Sequence, residues 1–186
     1  MAVLAVALPL VRQAATAEEK KAEPKKAPAF TLENVDGKKV SLSDFAGKTV
    51  VLEWANPGCP PWARLQKEGI YQALAAKYKD KGVVWLSINS NRNSSGEKNR
   101  KYAEEQKLPF PYLDDHAQEV AKAYGAKCTP HMFIIDKTGT IAYEGAIDDD
   151  PPGKKPKDER KNYIDQALTE LLAGTPVSQP LTKPYG

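Results

Sequence analysis

Two cysteines are the only thiols in 186 residues, and they stand in unlike settings. Cys59 follows the apolar run 48–55 in Asn56-Pro57-Gly58-Cys59-Pro60-Pro61-Trp62, where an extended segment stops and a helical pattern begins. The first turn of a helix has amide protons without partners and carries the positive end of the macrodipole, so an anion there is stabilised. Cysteines in such positions ionise well below the free-thiol value and react as thiolate nucleophiles. Pro60 and Pro61 suit the first turn, where proline loses no helical hydrogen bond, although they also withhold two donors from the sulfur. The competing role is a small buried hydrophobe, which suits mid-strand or mid-helix positions better than a Gly-Cys-Pro corner. Cys128 lies 128 − 59 = 69 positions downstream, too far to share a local motif. Two thiols are too few to staple a scaffold, so chemistry is the better reading of their role.

The elements that must position these thiols follow from periodicity. Residues 30–34 and 39–42 alternate on either side of Asp36-Gly37, a hairpin signal. Residues 48–55 and 82–90 read as buried strands. Residues 60–79 read as one helix, with Ile70, Leu74 and Tyr78 on one face and a stop at Gly82. A polar helix over 95–107, a short strand over 110–115 and a helix over 117–126 closed by Gly125 come next. The runs 131–136 and 139–146 form a second hairpin across Lys137-Thr138-Gly139. A helix over 158–173 places Ile164, Leu168 and Leu171 on one face and stops at Gly174. Strands alternating with helices and then a closing hairpin predict an α/β fold, a central mixed sheet flanked by helices on both faces. Such sheets carry their chemistry where a strand's carboxyl end meets the next helix, which is where Cys59 stands.

The chain is long enough for one domain with a real core. A net charge of +3 demands no nucleic-acid partner. The basic stretches 18–28 and 151–161 mix both signs with proline and read as solvated linker and loop. Asp148-Asp149-Asp150 reads as a solvated acidic loop rather than a cation site. The run "MAVLAVALPLV" is too short to span a bilayer and leads to Ala15-Thr16-Ala17, a small-x-small cleavage pattern. Residues 1–17 are therefore expected to be a partial signal peptide, 18–27 a flexible linker, 28–175 the folded domain and 176–186 a tail. A periplasmic or secreted location follows, with no stable membrane span.

The stretches "APAFTLENVDGKKVSLSDFAGKTVVLEWANPGCPPW" and "AYGAKCTPHMFIIDKTGTIAYEG" carry a family likeness. Over residues 28–175 the chain resembles a redoxin of the thioredoxin superfamily, in the peroxiredoxin-like branch of the alkyl hydroperoxide reductase/thiol-specific antioxidant family. The resemblance implies a thioredoxin-like fold with a strand–Cys–helix corner at Cys59. It also implies a cis-proline at Thr129-Pro130 packed beside that cysteine, and an active-site surround of Asn56, Pro57, Gly58, Pro60, Trp62, Thr129 and Pro130. The departures narrow the chemistry. Trp62 occupies the second cysteine position of a Cys-x-x-Cys motif, so no local disulfide forms. Asn56 and Leu52 stand where a peroxidatic motif has threonine and proline, so Cys59 aligns better with the first cysteine of the thioredoxin motif.

By the same resemblance Cys128 precedes the cis-proline loop and faces Cys59. Its two readings are a resolving thiol and a core cysteine at a strand start. A bond between them requires Cα atoms within about 7 Å. Relatives of this group continue past a stretch like "LTKPYG" into a further cysteine, so a resolving thiol can also lie outside these 186 residues. Cys59, Cys128 and His131 could compose a soft Cu(I) or Zn site, but strand alternation sets Cys128 and His131 on opposite sides. His116 is expected on the surface. Trp62 is expected to pack on the sheet with Trp54 or, alternatively, to wall a cleft. Glu53 is a minor candidate for a proton relay.

The function expected is thiol-based oxidoreduction: Cys59 attacks, a second thiol, with Cys128 the candidate in this chain, completes the cycle, and no cofactor is required. The substrate is a disulfide-bearing protein, a small thiol or disulfide, or a peroxide, with an external reductant. The alternatives are a peroxiredoxin-type peroxidase and a redox-inactive thioredoxin-fold binding or copper-carrier module.

Overall fold

The computed structural model describes residues 25–186. The apolar run with its Ala15-Thr16-Ala17 pattern and most of the charged lead lie outside the described residues. Seven strands form one sheet: β1 (Thr31–Asn34), β2 (Lys39–Ser41), β3 (Thr49–Ala55), β4 (Val83–Asn89), β5 (Tyr112–Asp114), β6 (His131–Ile135) and β7 (Ile141–Gly145). Their order across the sheet is β2-β1-β5-β4-β3-β6-β7. The central trio β5, β4 and β3 is parallel, and the hairpin strands that join it on either side, β1 and β6, run antiparallel to it. This is the mixed α/β sheet expected from the strand–helix alternation.

Every residue of β3 is buried, as a central parallel strand covered on both faces requires. Alternation then sorts its side chains. Val51 and Ala55 enter a core shared with α1 (Pro60–Lys67), α2 (Ile70–Lys79), α3 (Gly96–Glu105) and α5 (Tyr163–Leu172). Val50, Leu52 and Trp54 enter the opposite core, closed by α4 (Glu119–Tyr124) and the 3-10 turn Leu42–Phe45. Among the described residues, no helix is long and apolar enough to cross a membrane.

Four expectations need correction. The helix over 60–79 is two helices, because Gly69 adopts φ +73° and breaks the chain direction between α1 and α2. A side chain in that left-handed conformation would be strained, and glycine is not. The last helix starts at Tyr163 rather than 158, where the Asn162 side chain accepts from Asp165 N and caps it. The lead is not a free linker throughout: from Lys25 it pairs with the sheet, through Ile141 N to Lys25 O (2.9 Å) and Ala27 N to Gly139 O (3.0 Å). The 148–161 loop is not simply solvated either. Asp148 and Asp150 are buried, and Arg160 reaches both Asp150 and Glu68. Sequence alone could not pair an arginine with acids ten and ninety-two residues away.

Candidate functional site

The corner at Cys59 is built by its own neighbours. The Asn56 side-chain oxygen accepts from Gly58 N at 2.9 Å and the Asn56 carbonyl accepts from Cys59 N at 2.9 Å, closing a tight turn after β3. Cys59 is the N-cap of α1 in extended geometry, and its carbonyl accepts the first helical bond from Ala63 N. Pro60 and Pro61 fill the first two helical positions, leaving Trp62 with the first amide proton of the helix. The cysteine is half-buried and in no disulfide.

The Thr129-Pro130 peptide is cis and lies against this corner. The Cys59 thiol donates to the Thr129 carbonyl at 2.7 Å. Cys128 precedes β6 rather than belonging to it, and its thiol points to the Pro130 carbonyl at 3.6 Å. Burial pushes the Cys128 thiol above its ordinary value, and negative charge on Cys59 pushes it further. Both thiols thus point to main-chain carbonyls of the same cis-proline loop, Cys59 to Thr129 and Cys128 to Pro130. Cys128, Thr129 and Asn56 line an open cavity of about 440 Å³, together with the cations Arg92 and Lys127.

Beneath the corner stands the residue that strand alternation undervalued. Glu53 is 0% exposed in the middle of β3. Its carboxylate accepts from Trp62 Nε1 at 2.6 Å and from Trp85 Nε1 at 2.7 Å. Burial raises its pKa to about 7, and the two indole donors hold it from rising further. The signal was present as an acid within an apolar strand, but its donors lie nine and thirty-two residues away. Trp62 is accordingly neither a cleft wall nor a partner of Trp54. It is buried, stacks on Tyr71 at 5.6 Å and faces the side of the sheet opposite Trp54. The Tyr71 hydroxyl is buried without a hydrogen-bond partner. Burial raises its pKa, and charges on Glu53, Tyr185, Asp148 and Cys59 add to the effect.

The histidines are placed apart from this chemistry. His116 is exposed and pairs with Asp114. His131 is buried against Phe133, accepts from Lys127 N at 3.3 Å, and has its pKa lowered to about 4 by burial, so it is neutral. Among the described residues no three His, Cys, Asp or Glu side chains cluster as a metal site would require.

Comparison with known proteins agrees with this geometry. Residues 24–144 match the model of the AhpC/TSA family. The thiol-disulfide oxidoreductase ResA of Bacillus thuringiensis subsp. konkukian is 33% identical over 150 residues, 80% of each chain. The chloroplastic peroxiredoxin Q of Triticum aestivum is 32% identical over 127 residues, covering 62% of this chain and 55% of that protein. A crystal structure of an uncharacterized conserved protein from Geobacillus kaustophilus superposes with TM-score 0.75 at 39% identity, over 87% of this chain and 86% of that one. The chain thus belongs to the AhpC/TSA family, as a thioredoxin-fold redoxin whose function is thiol-dependent oxidoreduction.

Proposed function

We propose that the protein is a thiol–disulfide oxidoreductase in which Cys59 is the attacking thiol and Cys128 the resolving one. The observation that carries this reading is the placement of Cys59 at the cap of α1, with its thiol on the carbonyl of the residue next to Cys128. Attack by the Cys59 thiolate on one sulfur of a substrate disulfide forms a mixed disulfide and releases the other sulfur as a thiolate, which takes up a proton. The Cys128 thiolate then attacks the Cys59 sulfur, forming a Cys59–Cys128 bond and releasing the substrate's second thiol. A dithiol reductant returns both cysteines to thiols. Cys128 is held protonated by burial, so resolution needs a proton acceptor. Asn56, Pro57, Gly58, Pro60, Thr129 and Pro130 shape the corner, and Trp62 acts through its bond to Glu53.

A disulfide is the substrate class that the thiol-disulfide oxidoreductase relative supports, and the Ala15-Thr16-Ala17 cleavage pattern supports action outside the cytoplasm on disulfide-bearing proteins. Cys59→Ser should abolish exchange with a small disulfide, whereas unchanged turnover in that variant would refute the assignment. A second reading, peroxide reduction, is favoured by the likeness to peroxiredoxin Q. Against it, the Asn56 side-chain oxygen stands where the peroxidatic threonine would and is engaged by Gly58 N. Stopped-flow reaction with hydrogen peroxide should fall far short of the enzymatic ceiling of about 10⁸ M⁻¹s⁻¹, and a rate near it would reverse the ranking.

A further inference from the structure

Segment 176–186 is expected from sequence to be a tail, yet its last residues reach the reactive corner. It docks along the outer edge of β7, where Glu144 N donates to Pro180 O at 2.9 Å and Thr182 N to Glu144 O at 3.0 Å. The Thr182 hydroxyl accepts from Ala146 N at 2.8 Å and bonds the Tyr143 hydroxyl at 2.5 Å. It sits over Gly145, where a Cβ would lie 2.2 Å from Thr182 Oγ1. Only glycine at 145 lets the segment lie this close. Further on, the Tyr185 hydroxyl donates to Asp148 Oδ1, and its ring packs on the same core as Cys59.

Gly186 then meets the site itself. A Cβ on Gly186 would stand 1.9 Å from the Thr129 carbonyl oxygen and 2.6 Å from its carbon. That oxygen is the acceptor of the Cys59 thiol. The segment therefore covers the main chain beside the nucleophile. Its hold is light: none of residues 173–186 is buried, and Leu181 is 69% exposed. A segment fixed by a few hydrogen bonds and little apolar burial opens at low cost relative to global unfolding.

We propose that residues 180–186 are a displaceable strap that sets which substrates reach Cys59, with Tyr185 on Asp148 as its latch. Closed, the strap occupies the Thr129 main chain and leaves Cys59 to small disulfides. Open, it frees that main chain for an extended polypeptide carrying the disulfide, bound as an added strand would be. The proposal rests on the reading of Cys59 as the attacking thiol.

The test is alkylation of Cys59, followed by peptide mass spectrometry, with iodoacetamide as small reagent and a polyethylene-glycol maleimide as bulky one. Tyr185→Phe removes the latch but keeps the ring. Gly186→Val drives the strap off Thr129 by a steric route independent of the latch. Each should raise the bulky-to-small rate ratio by about tenfold, the equivalent of one lost hydrogen bond in the closed state. Because the ratio compares two reagents on one variant, a general change in thiol reactivity cancels. A ratio that stays at the wild-type value in either variant overturns the strap. Failure of the underlying assignment would show separately, as exchange activity that survives Cys59→Ser.

Discussion

The two cysteines stand on either side of Thr129, and their surroundings differ in kind. Cys59 caps a helix, is half-open, and hands its proton toward a main-chain oxygen. Cys128 sits on the loop, where burial and the charge of Cys59 both hold it in the thiol form. The part of that hold on Cys128 that comes from the Cys59 charge is removed once Cys59 enters a disulfide. On the function proposed above, this difference orders the events: Cys59 attacks first, and Cys128 follows once the charge on Cys59 is gone.

The largest effect expected from breaking this comparison is on turnover. Cys59→Ser should lower exchange with a small disulfide by at least about a thousandfold, since a hydroxyl does not ionise near neutrality. Cys128→Ser should keep the first, stoichiometric release of thiol and lose the steady state. Steady-state and burst assays with a chromogenic disulfide separate the two.

The next largest is on stability. A Cys59–Cys128 bond would close a loop of 128 − 59 = 69 positions. On the chain-entropy account this stabilises the oxidised protein by about 4 kcal/mol, less any native distortion. Calorimetry should show a higher melting temperature for oxidised than for reduced protein, with the gap removed by Cys128→Ser. An equal gap in that variant would mean that Cys128 is not the partner.

A smaller effect concerns Glu53. Its carboxyl titrates near 4.5 in the unfolded chain and at about 7 in the folded one. Between those values the folded state retains a proton that the unfolded state has lost, so stability falls as pH rises through this window and levels off above it. The fall is about 3 kcal/mol by linkage. Urea unfolding at several pH values should show this slope in the wild type and a flat difference for Glu53→Gln.

The contrast between regions also explains what was legible in the sequence. The Cys59 corner and both hairpins were readable because their signals are local: a Gly-Cys-Pro junction, Asp36-Gly37, and Lys137-Thr138-Gly139. The cis geometry at Thr129-Pro130 followed from resemblance alone, and the structure shows it. Glu53 was undervalued because its stabilising donors, Trp62 and Trp85, meet it only after β3, α1 and β4 have packed. The acidic loop misled for the same reason: Asp150 is neutralised by Arg160 and Arg64 from two different segments. The break at Gly69 hid within an unbroken apolar stripe, since glycine alone does not announce a positive φ. The docking of Thr182 over Gly145 left no periodic trace at all.

The most direct measurement of the division between the thiols is intact and peptide mass spectrometry after one equivalent of a small aromatic disulfide. Cys128→Ser should carry a stable mixed disulfide on Cys59, the wild type should convert to a Cys59–Cys128 bond, and Cys59→Ser should carry no adduct. A mixed disulfide found on Cys128 in Cys59→Ser, formed as fast as the Cys59 adduct, would contradict the account.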